Sequence, residues 1–194
     1  MKGHFLDRNN KNYLVPELSD EKIMLLVKEG HLSELTALFD RYQVSLYNFF
    51  LRLTGDRASS EDLTQNLFYR VMRYRQSFQP AQGTFRSWIY RMARNVHVDF
   101  CKQESRGPSR LTDPEEVEER LADQGSGYTQ DQFQRLDEAM ERLDADQREV
   151  LVLSRYQGLK YEEIARIRDS SVAAVKVQVF RALKQLRTIY FKQI

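Results

Sequence analysis

Apolar residues recur every three or four positions over most of the chain, and this spacing predicts helices throughout. The clearest stripe lies between residues 85 and 102 and consists of Phe85, Ile89, Met92, Val96 and Phe100. Off that stripe lie polar and basic residues, namely Arg86, Arg91, Arg94, Asn95 and Lys102. The segment is therefore predicted to be an amphipathic helix with a basic, amide-bearing outer surface.

Three more helices are predicted before it. Ser19 can cap a short helix that Gly30 closes, and Ser33 can cap a longer one that ends before Gly55. Ser59 and Ser60 have capping chemistry for a third helix over 62–74. Its inner stripe is predicted to be Leu63, Leu67, Val71 and Tyr74.

The C-terminal part also reads as helices, over 133–143, 147–157, 161–167 and 172–190. Ser171 can cap the last of them. Its inner stripe is predicted to be Val172, Val175, Val179, Leu183 and Leu186. A short helix, a tight turn and a longer basic helix predict a helix-turn-helix.

Residues 104–131 are acidic, carry Pro and Gly and are poor in apolar side chains, which is typical of a flexible linker. Residues 1–18 show no period and are predicted to be a flexible tail. The sequence therefore predicts an all-α protein of two small helical domains, 19–103 and 132–194, joined by the linker.

The composition excludes several classes of protein. Across 194 residues, 30 Lys and Arg stand against 28 Asp and Glu, so net charge alone does not indicate a nucleic-acid partner. One cysteine and three scattered histidines predict neither a disulfide nor a metal site, and no cofactor is expected. No run is apolar enough to span a membrane and no signal peptide is evident, so a cytoplasmic location is expected.

Two surfaces carry candidate chemistry. On the helix that begins near residue 85, arginines can neutralise phosphates, Asn95 can read a base edge, and Trp88 and Tyr90 offer flat surfaces for unstacked bases. On the last helix, Lys176, Gln178 and Arg181 can reach a major groove, and residues further along can contact phosphates. For the first surface, residue types alone favour a solvated charged helix with a core Trp over a nucleic-acid surface. For the second, the alternative to a DNA-reading helix is an ordinary helical hairpin with a charged face.

Three blocks in the N-terminal half carry a family resemblance: 61–68 (EDLTQNLF), 77–78 (SF) and 83–95 (GTFRSWIYRMARN). In this order and spacing they resemble region 2 of the extracytoplasmic-function (ECF) sigma factors of bacterial RNA polymerase. The blocks 158–165 (GLKYEEIA) and 172–176 (VAAVK) are similar to region 4 of the same family. The chain departs from the family pattern at three places. Lys160 replaces the usual capping Ser, which weakens a helix cap by about 1 kcal/mol. Ala173 and Ala174 replace Gly-Thr, and Asn66 stands where an acid is common.

The resemblance implies a sigma factor that confers promoter specificity, with no residue that does covalent chemistry and no small-molecule substrate. Contacts to core RNA polymerase are expected from Asp62, Gln65, Asn66 and Tyr69. The resemblance implies a pocket for a flipped minus-ten base at Tyr74, Phe78 and Asn95, and strand contacts at Arg86, Trp88, Arg91 and Arg94. The minus-thirty-five duplex is expected to meet Lys176, Gln178, Phe180 and Arg181, with Lys184 on phosphate.

Partners implied by the resemblance are core RNA polymerase, promoter DNA and an anti-sigma factor, which in this family is often membrane-anchored. Three alternatives stay open. A two-domain regulator with a ligand-sensing domain would share the helix-turn-helix but would bind duplex promoter DNA without polymerase. A helical enzyme would need convergent acid, base or metal ligands, and no such motif is evident. An adaptor that binds only protein would bind no DNA.

Overall fold

The computed structural model describes residues 18–105 and 130–192, and within these ranges it contains helices and turns but no strand. The described residues form eight α-helices: α1 (Asp20–Glu29), α2 (Leu35–Thr54), α3 (Arg57–Arg73), α4 (Phe85–Glu104), α5 (Gln130–Glu141), α6 (Ala145–Leu151), α7 (Tyr161–Ile167) and α8 (Val172–Phe191). The all-α prediction is confirmed. The predicted tail and most of the predicted linker lie outside the described residues, so these two predictions stay predictions.

Local capping chemistry explains where the first helices begin and end. Ser19 accepts a hydrogen bond from the Lys22 amide, and Gly30 ends α1 in the left-handed conformation, both as predicted. The prediction for Ser33 is wrong, because it lies in a 3₁₀ turn, Leu32–Glu34, that runs directly into α2. The third helix starts earlier than predicted, because the Asp56 side chain rather than Ser59 is the cap.

The N-terminal half is a helical bundle in which α2 packs against α3, with α1 and α4 alongside. Aromatic rings fill its centre, and Phe49 meets Tyr90 edge to face with 5.6 Å between ring centroids. The inner stripe of α3 is buried as predicted at Leu63, Leu67 and Val71. Tyr74 is 51% exposed, so its predicted place on the inner stripe is wrong; it lies just beyond the end of α3.

The C-terminal half contains the predicted helix-turn-helix, formed by α7 and α8. Ser171 accepts a hydrogen bond from the Ala174 amide at 3.1 Å and caps α8. Lys160 supplies no side-chain cap to α7, but the Glu163 carboxylate accepts a hydrogen bond from the Lys160 amide and so satisfies part of that helix start. On α8, Val175, Val179 and Ala182 are buried, whereas Leu183 is exposed and its prediction as an inner residue is wrong.

Between α6 and α7 the chain adopts a π-helical turn, Val152–Tyr156. Here the Gln157 amide donates to the Val152 carbonyl five residues earlier, at 2.9 Å. The wider turn brings Tyr156 and Gln157 to the side of the half that faces α2 and α4. The buried apolar residues of both halves form one continuous cluster, so the two halves pack directly against each other.

Candidate nucleic-acid interface

The outer face of α3 presents the four residues predicted to contact polymerase. Asp62, Gln65, Asn66 and Tyr69 are all exposed. Asn66 accepts a hydrogen bond from Arg70 Nε at 3.1 Å. The face is therefore polar, and the exposed Tyr69 ring is its aromatic member.

A cavity of about 310 Å³ opens where the end of α3, the loop after it and α4 meet. Its lining residues are Arg70, Tyr74, Ser77, Trp88, Arg91, Met92 and Asn95. This volume lies at the lower end of the range of small-ligand pockets, about 300–1,000 Å³. Four residues that the resemblance implies for minus-ten DNA thus come together around one cavity: Tyr74, Trp88, Arg91 and Asn95.

Phe78 does not line this cavity. Its ring is 1% exposed and meets the Trp88 ring at 5.5 Å and the Phe85 ring at 5.9 Å, both edge to face. The direct base contact expected at Phe78 is not available to a ring buried in this way. Phe78 instead supports Trp88 from below, because a loop aromatic gains more by joining the core than by facing water.

Arg86 and Arg94, two expected strand contacts, are already bonded to the C-terminal half. Arg94 Nε lies 2.7 Å from Glu149 Oε1. The Arg86 guanidinium donates to the main-chain carbonyl of Gln157. Both side chains are half-buried, whereas Arg91 on the same helix is exposed.

Glu149 is the buried centre of a charge cluster. Its other oxygen, Oε2, lies 2.8 Å from Arg168 Nη1, and Arg168 also pairs with Asp146 at 3.1 Å. Burial raises the pKa of the Glu149 carboxyl, and the guanidiniums of Arg168 and Arg94 oppose that rise. The two guanidiniums compensate the buried carboxylate, and the loss of either one leaves buried charge less well compensated, which destabilises the fold.

Tyr90 is not a stacking surface, contrary to the expectation from its sequence position. It is 1% exposed, and its hydroxyl donates to Gln157 Oε1 at 2.6 Å. Burial raises the pKa of the Tyr90 hydroxyl. The ring belongs to the core and its polar end contacts the other half of the chain.

Sequence reasoning missed Glu149, Gln157 and Arg168. One signal was available for Glu149: four apolar residues, 150–153, follow it without interruption. Such a run implies a helix that is buried on most sides. A carboxylate next to it is then also buried, and it requires a cationic or hydrogen-bonding partner. No local pattern marks Gln157, because its partner is 67 residues away in sequence.

The exposed face of α8 carries the residues expected to meet the upstream duplex. Lys176, Phe180, Arg181 and Lys184 are exposed, and the Phe180 side chain is 69% exposed. Gln178 differs: it is half-buried, and its Oε1 atom is buried without a hydrogen-bond partner among the described residues. This arrangement does not offer the Gln178 carboxamide to a groove together with the other four.

Within 18–105 and 130–192, no group of three or more His, Cys, Asp or Glu side chains could hold a metal ion. None of the helices in these ranges is both long and apolar enough to cross a membrane.

Two family models match the chain: sigma-70 region 2 over residues 38–107 and sigma-70 region 4 over residues 133–186, together more than half of it. The chain is 31% identical over 147 residues to the ECF RNA polymerase sigma factor SigE of Mycolicibacterium smegmatis. The matched stretch covers 73% of this chain and 56% of SigE. It is 31% identical over 173 residues to BldN of Streptomyces coelicolor, covering 85% of this chain and 64% of BldN. It therefore spans less than two thirds of the length of these two relatives, whereas a 29% identical match covers 95% of SigK of Mycobacterium tuberculosis.

Solved structures show the same fold. CnrH in complex with the cytosolic domain of CnrY superposes with a TM-score of 0.69 at 22% identity, covering 90% of this chain and 99% of CnrH. The sigma factor RpoE in complex with the anti-sigma factor NepR from Bartonella quintana superposes with a TM-score of 0.62 at 23% identity. This match covers 80% of this chain and 96% of the matched chain.

Proposed function

Because this chain belongs to the extracytoplasmic-function sigma factors of the sigma-70 family, we propose that it binds core RNA polymerase and directs promoter-specific transcription initiation. The observation that carries the finer part of this proposal is the cavity between α3 and α4, where aromatic, amide and guanidinium groups converge. The domains assigned to these tasks are 19–103 for polymerase and the minus-ten element, and 132–194 for the minus-thirty-five element.

The N-terminal half traps the melted minus-ten strand. Unstacking a base costs a few kcal/mol, and a pocket that binds the extruded base offsets that cost. Trp88 and Tyr74 supply faces on which a base can stack, and base–aromatic stacking contributes about 1–3 kcal/mol per base. Asn95 supplies hydrogen bonds to a base edge, and Arg91 neutralises a phosphate.

The C-terminal half reads the minus-thirty-five duplex with α8. Lys176 and Arg181 suit guanine N7 and O6 in a major groove, and the exposed Phe180 ring suits a thymine methyl group. Lys184, further along the helix, contacts phosphate. Gln178 is left out of this reading surface, because its carboxamide oxygen is buried.

Core polymerase binds the polar outer face of α3 formed by Asp62, Gln65, Asn66 and Tyr69, whose exposure leaves them free for a partner. An anti-sigma factor is a further partner, since the sigma factor RpoE forms a complex with the anti-sigma factor NepR, and CnrH forms one with the cytosolic domain of CnrY. A cytoplasmic location follows from the need to meet polymerase and promoter DNA. The protein is proposed to act as a binding subunit rather than as an enzyme.

The test is runoff transcription from fragmented genomic DNA by bacterial core polymerase, with and without this chain. New transcripts whose upstream sequences share paired elements are expected only with the chain present. Arg181→Ala should weaken binding to the upstream element by about 1–3 kcal/mol and relax preference at one base pair. Arg135→Ala removes an exposed arginine of α5 and is the matched control, which should leave binding unchanged.

A chain that binds duplex promoter fragments tightly without polymerase, and yields no new transcripts with it, would instead favour a ligand-sensing regulator. A chain that binds core but no DNA would favour an adaptor. An equal loss for Arg181→Ala on every DNA sequence would identify Arg181 as a phosphate contact rather than a base reader.

A further inference from the structure

One wall of the cavity is a loop rather than a helix. The chain between α3 and α4 forms two 3₁₀ turns, Arg75–Ser77 and Pro80–Gln82. Tyr74 and Ser77 line the cavity from this loop, and Trp88 lines it from α4. The main-chain hydrogen bonds of the two turns join residues three positions apart. Such bonds shape each turn, but they do not fix how far the loop lies from α4.

Lys28, in the last turn of α1, holds this loop through both its side chain and its main chain. Its Nζ atom donates to the Phe78 carbonyl oxygen at 2.6 Å, and Gln76 Nε2 donates to the Lys28 carbonyl oxygen at 2.8 Å. The last carbonyls of a helix have no partner within the helix, so the loop satisfies a group that α1 leaves free. The bond from Nζ is charge-assisted and partly buried, and is therefore stronger than a bond between neutral groups.

The same helix is also bonded to the other wall of the cavity. Glu21 Oε1 accepts a hydrogen bond from the amide of Phe85, the first residue of α4, at 3.0 Å. A carboxylate is favoured at that end of α4, because the helix dipole is positive there. The Asp20 carboxylate accepts a hydrogen bond from the Tyr42 hydroxyl at 2.5 Å, which joins α1 to α2. One helix thus holds both the loop and α4, although neither Lys28 nor Glu21 lines the cavity.

We propose that Lys28 is a positioning residue for the minus-ten strand: by holding the Phe78 carbonyl, it fixes the loop wall of the cavity against α4, so that an extruded base fits beside Tyr74 and Trp88. The inference rests on the proposed function, because it assumes that the cavity receives a base. In this role Lys28 does not touch DNA. Without its ammonium group, the loop occupies the binding-competent position for only part of the time, and the affinity for the base falls with that fraction.

The test is Lys28→Met, which keeps the length of the side chain but cannot donate the hydrogen bond. The full chain is assembled with bacterial core polymerase. Fluorescence anisotropy then measures its affinity for a labelled single strand carrying the minus-ten element of a promoter found by runoff transcription, and for strands with each other base at the most strongly preferred position.

The loss of one charge-assisted hydrogen bond changes an equilibrium by about tenfold, so affinity for the preferred strand should fall by about tenfold. A strand with a rejected base does not use the cavity and should bind as before. The preference for the correct base should therefore also fall by about tenfold. A general loss of structure would not produce this selective effect.

Three variants serve as controls. Lys22→Met is the matched control, because it removes the same charge from an exposed position of α1, and it should change neither affinity nor preference. Lys28→Arg keeps a charged donor and should restore most of the preference. Gln76→Met removes the second hydrogen bond between loop and α1 without a change of charge, and should lower the preference in the same direction. Urea denaturation shows whether each variant is folded.

Salt dependence separates positioning from a direct phosphate contact. Each phosphate contact on a single strand contributes about 0.7 to the slope of log K against log salt concentration. A reduced preference with an unchanged slope in Lys28→Met supports the inference. A smaller slope, with an equal loss on every strand, would make Lys28 a phosphate contact and overturn it.

Unchanged preference in folded Lys28→Met, with strand binding still weakened by Arg91→Ala, would overturn the inference and leave the proposed function intact. If Lys28→Met does not fold, Gln76→Met decides, and an unchanged preference there overturns the inference. If the unmodified chain with core polymerase gives neither strand binding nor new transcripts, the proposed function fails and this inference fails with it.

Discussion

The hydrogen bond between Tyr90 and Gln157 connects the two halves in a place where water cannot substitute for it. Tyr90 is 1% exposed and Gln157 is 7% exposed, and the hydroxyl lies 2.6 Å from Oε1. Tyr90→Phe removes only the hydroxyl and keeps the ring, which remains packed against Phe49. The perturbation therefore removes one polar contact across the interface, together with the interaction of the hydroxyl with Ser45 inside the N-terminal half.

The expected cost follows from that burial. A typical hydrogen bond contributes about 0.5–1.5 kcal/mol net, but a buried acceptor left without a donor costs about 1–3 kcal/mol. Because Gln157 Oε1 would lose its donor in a buried position, Tyr90→Phe should lower the free energy of unfolding by about 1–3 kcal/mol. Gln157→Leu should cost no more than this, since the Tyr90 hydroxyl loses one partner but keeps the neighbouring Ser45 side chain. The double variant should lie close to the wild type, because an apolar pair leaves no unsatisfied group.

Urea denaturation followed by the fluorescence of Trp88, the only tryptophan, measures these free energies. Tyr47→Phe, at a half-buried tyrosine of α2, is the matched control and should change stability by less than about 0.5 kcal/mol. An equal cost for Tyr90→Phe in the wild-type and Gln157→Leu backgrounds would show that the two side chains do not interact, and would refute the reasoning.

Three further predictions concern single side chains. Burial, with Arg148 and Arg94 nearby, lowers the pKa of His97 to about 4, whereas the ordinary pKa of histidine is about 6.5. As the pH falls below about 6.5, the unfolded chain therefore takes up the proton before the folded chain does. The free energy of unfolding should be highest above about pH 6.5 and should decrease by about 2 kcal/mol between pH 7 and pH 5 in urea titrations. His97→Gln should remove that decrease. Gln178→Leu should not lower stability or upstream DNA affinity, measured by urea titration and fluorescence anisotropy, because the buried Oε1 has no partner among the described residues. Phe78→Ala should lower the free energy of unfolding by about 3–5 kcal/mol in the same urea assay, because it deletes a buried ring.

Each of these has an opposing result. A flat stability profile between pH 7 and pH 5 would place His97 in contact with water. A specific loss at one adenine base pair in Gln178→Leu would restore it as a base reader. Unchanged stability in Phe78→Ala would mean that the ring is not in the core, and would return it to the cavity as a direct contact.

The helices themselves follow from local sequence. Period and capping chemistry act within one or two turns, which is why the ends of α1 and the start of α8 are predicted correctly from Ser19, Gly30 and Ser171. Where two caps are available nearby, local rules do not choose between them: Asp56 forms the cap that was expected from Ser59. The exposed positions on α3 also follow from period alone, because α3 packs through its apolar stripe within its own half.

Helical periodicity does not predict which of the aromatic side chains are buried. Phe78 lies in a loop where no period applies, and Tyr90 lies one position beyond the inner stripe of α4, yet both rings are buried. Their positions depend on which neighbours close over them, and those neighbours come from distant parts of the chain. Trp88 remains at the cavity because Phe78 and Phe85 support its inner face.

What the sequence by itself determined is the set of helices, the two helical halves, the family, the exposed residues of α3 and most of those of α8. What only the tertiary structure decided is which polar residues are free. A helical period shows which face of a helix points into its own half, but a polar outer face can meet either water or a polar surface elsewhere. Arg91 is exposed, whereas Arg94 is bonded to Glu149 55 residues away, because packing of the two halves covers one side of α4 and leaves the other open.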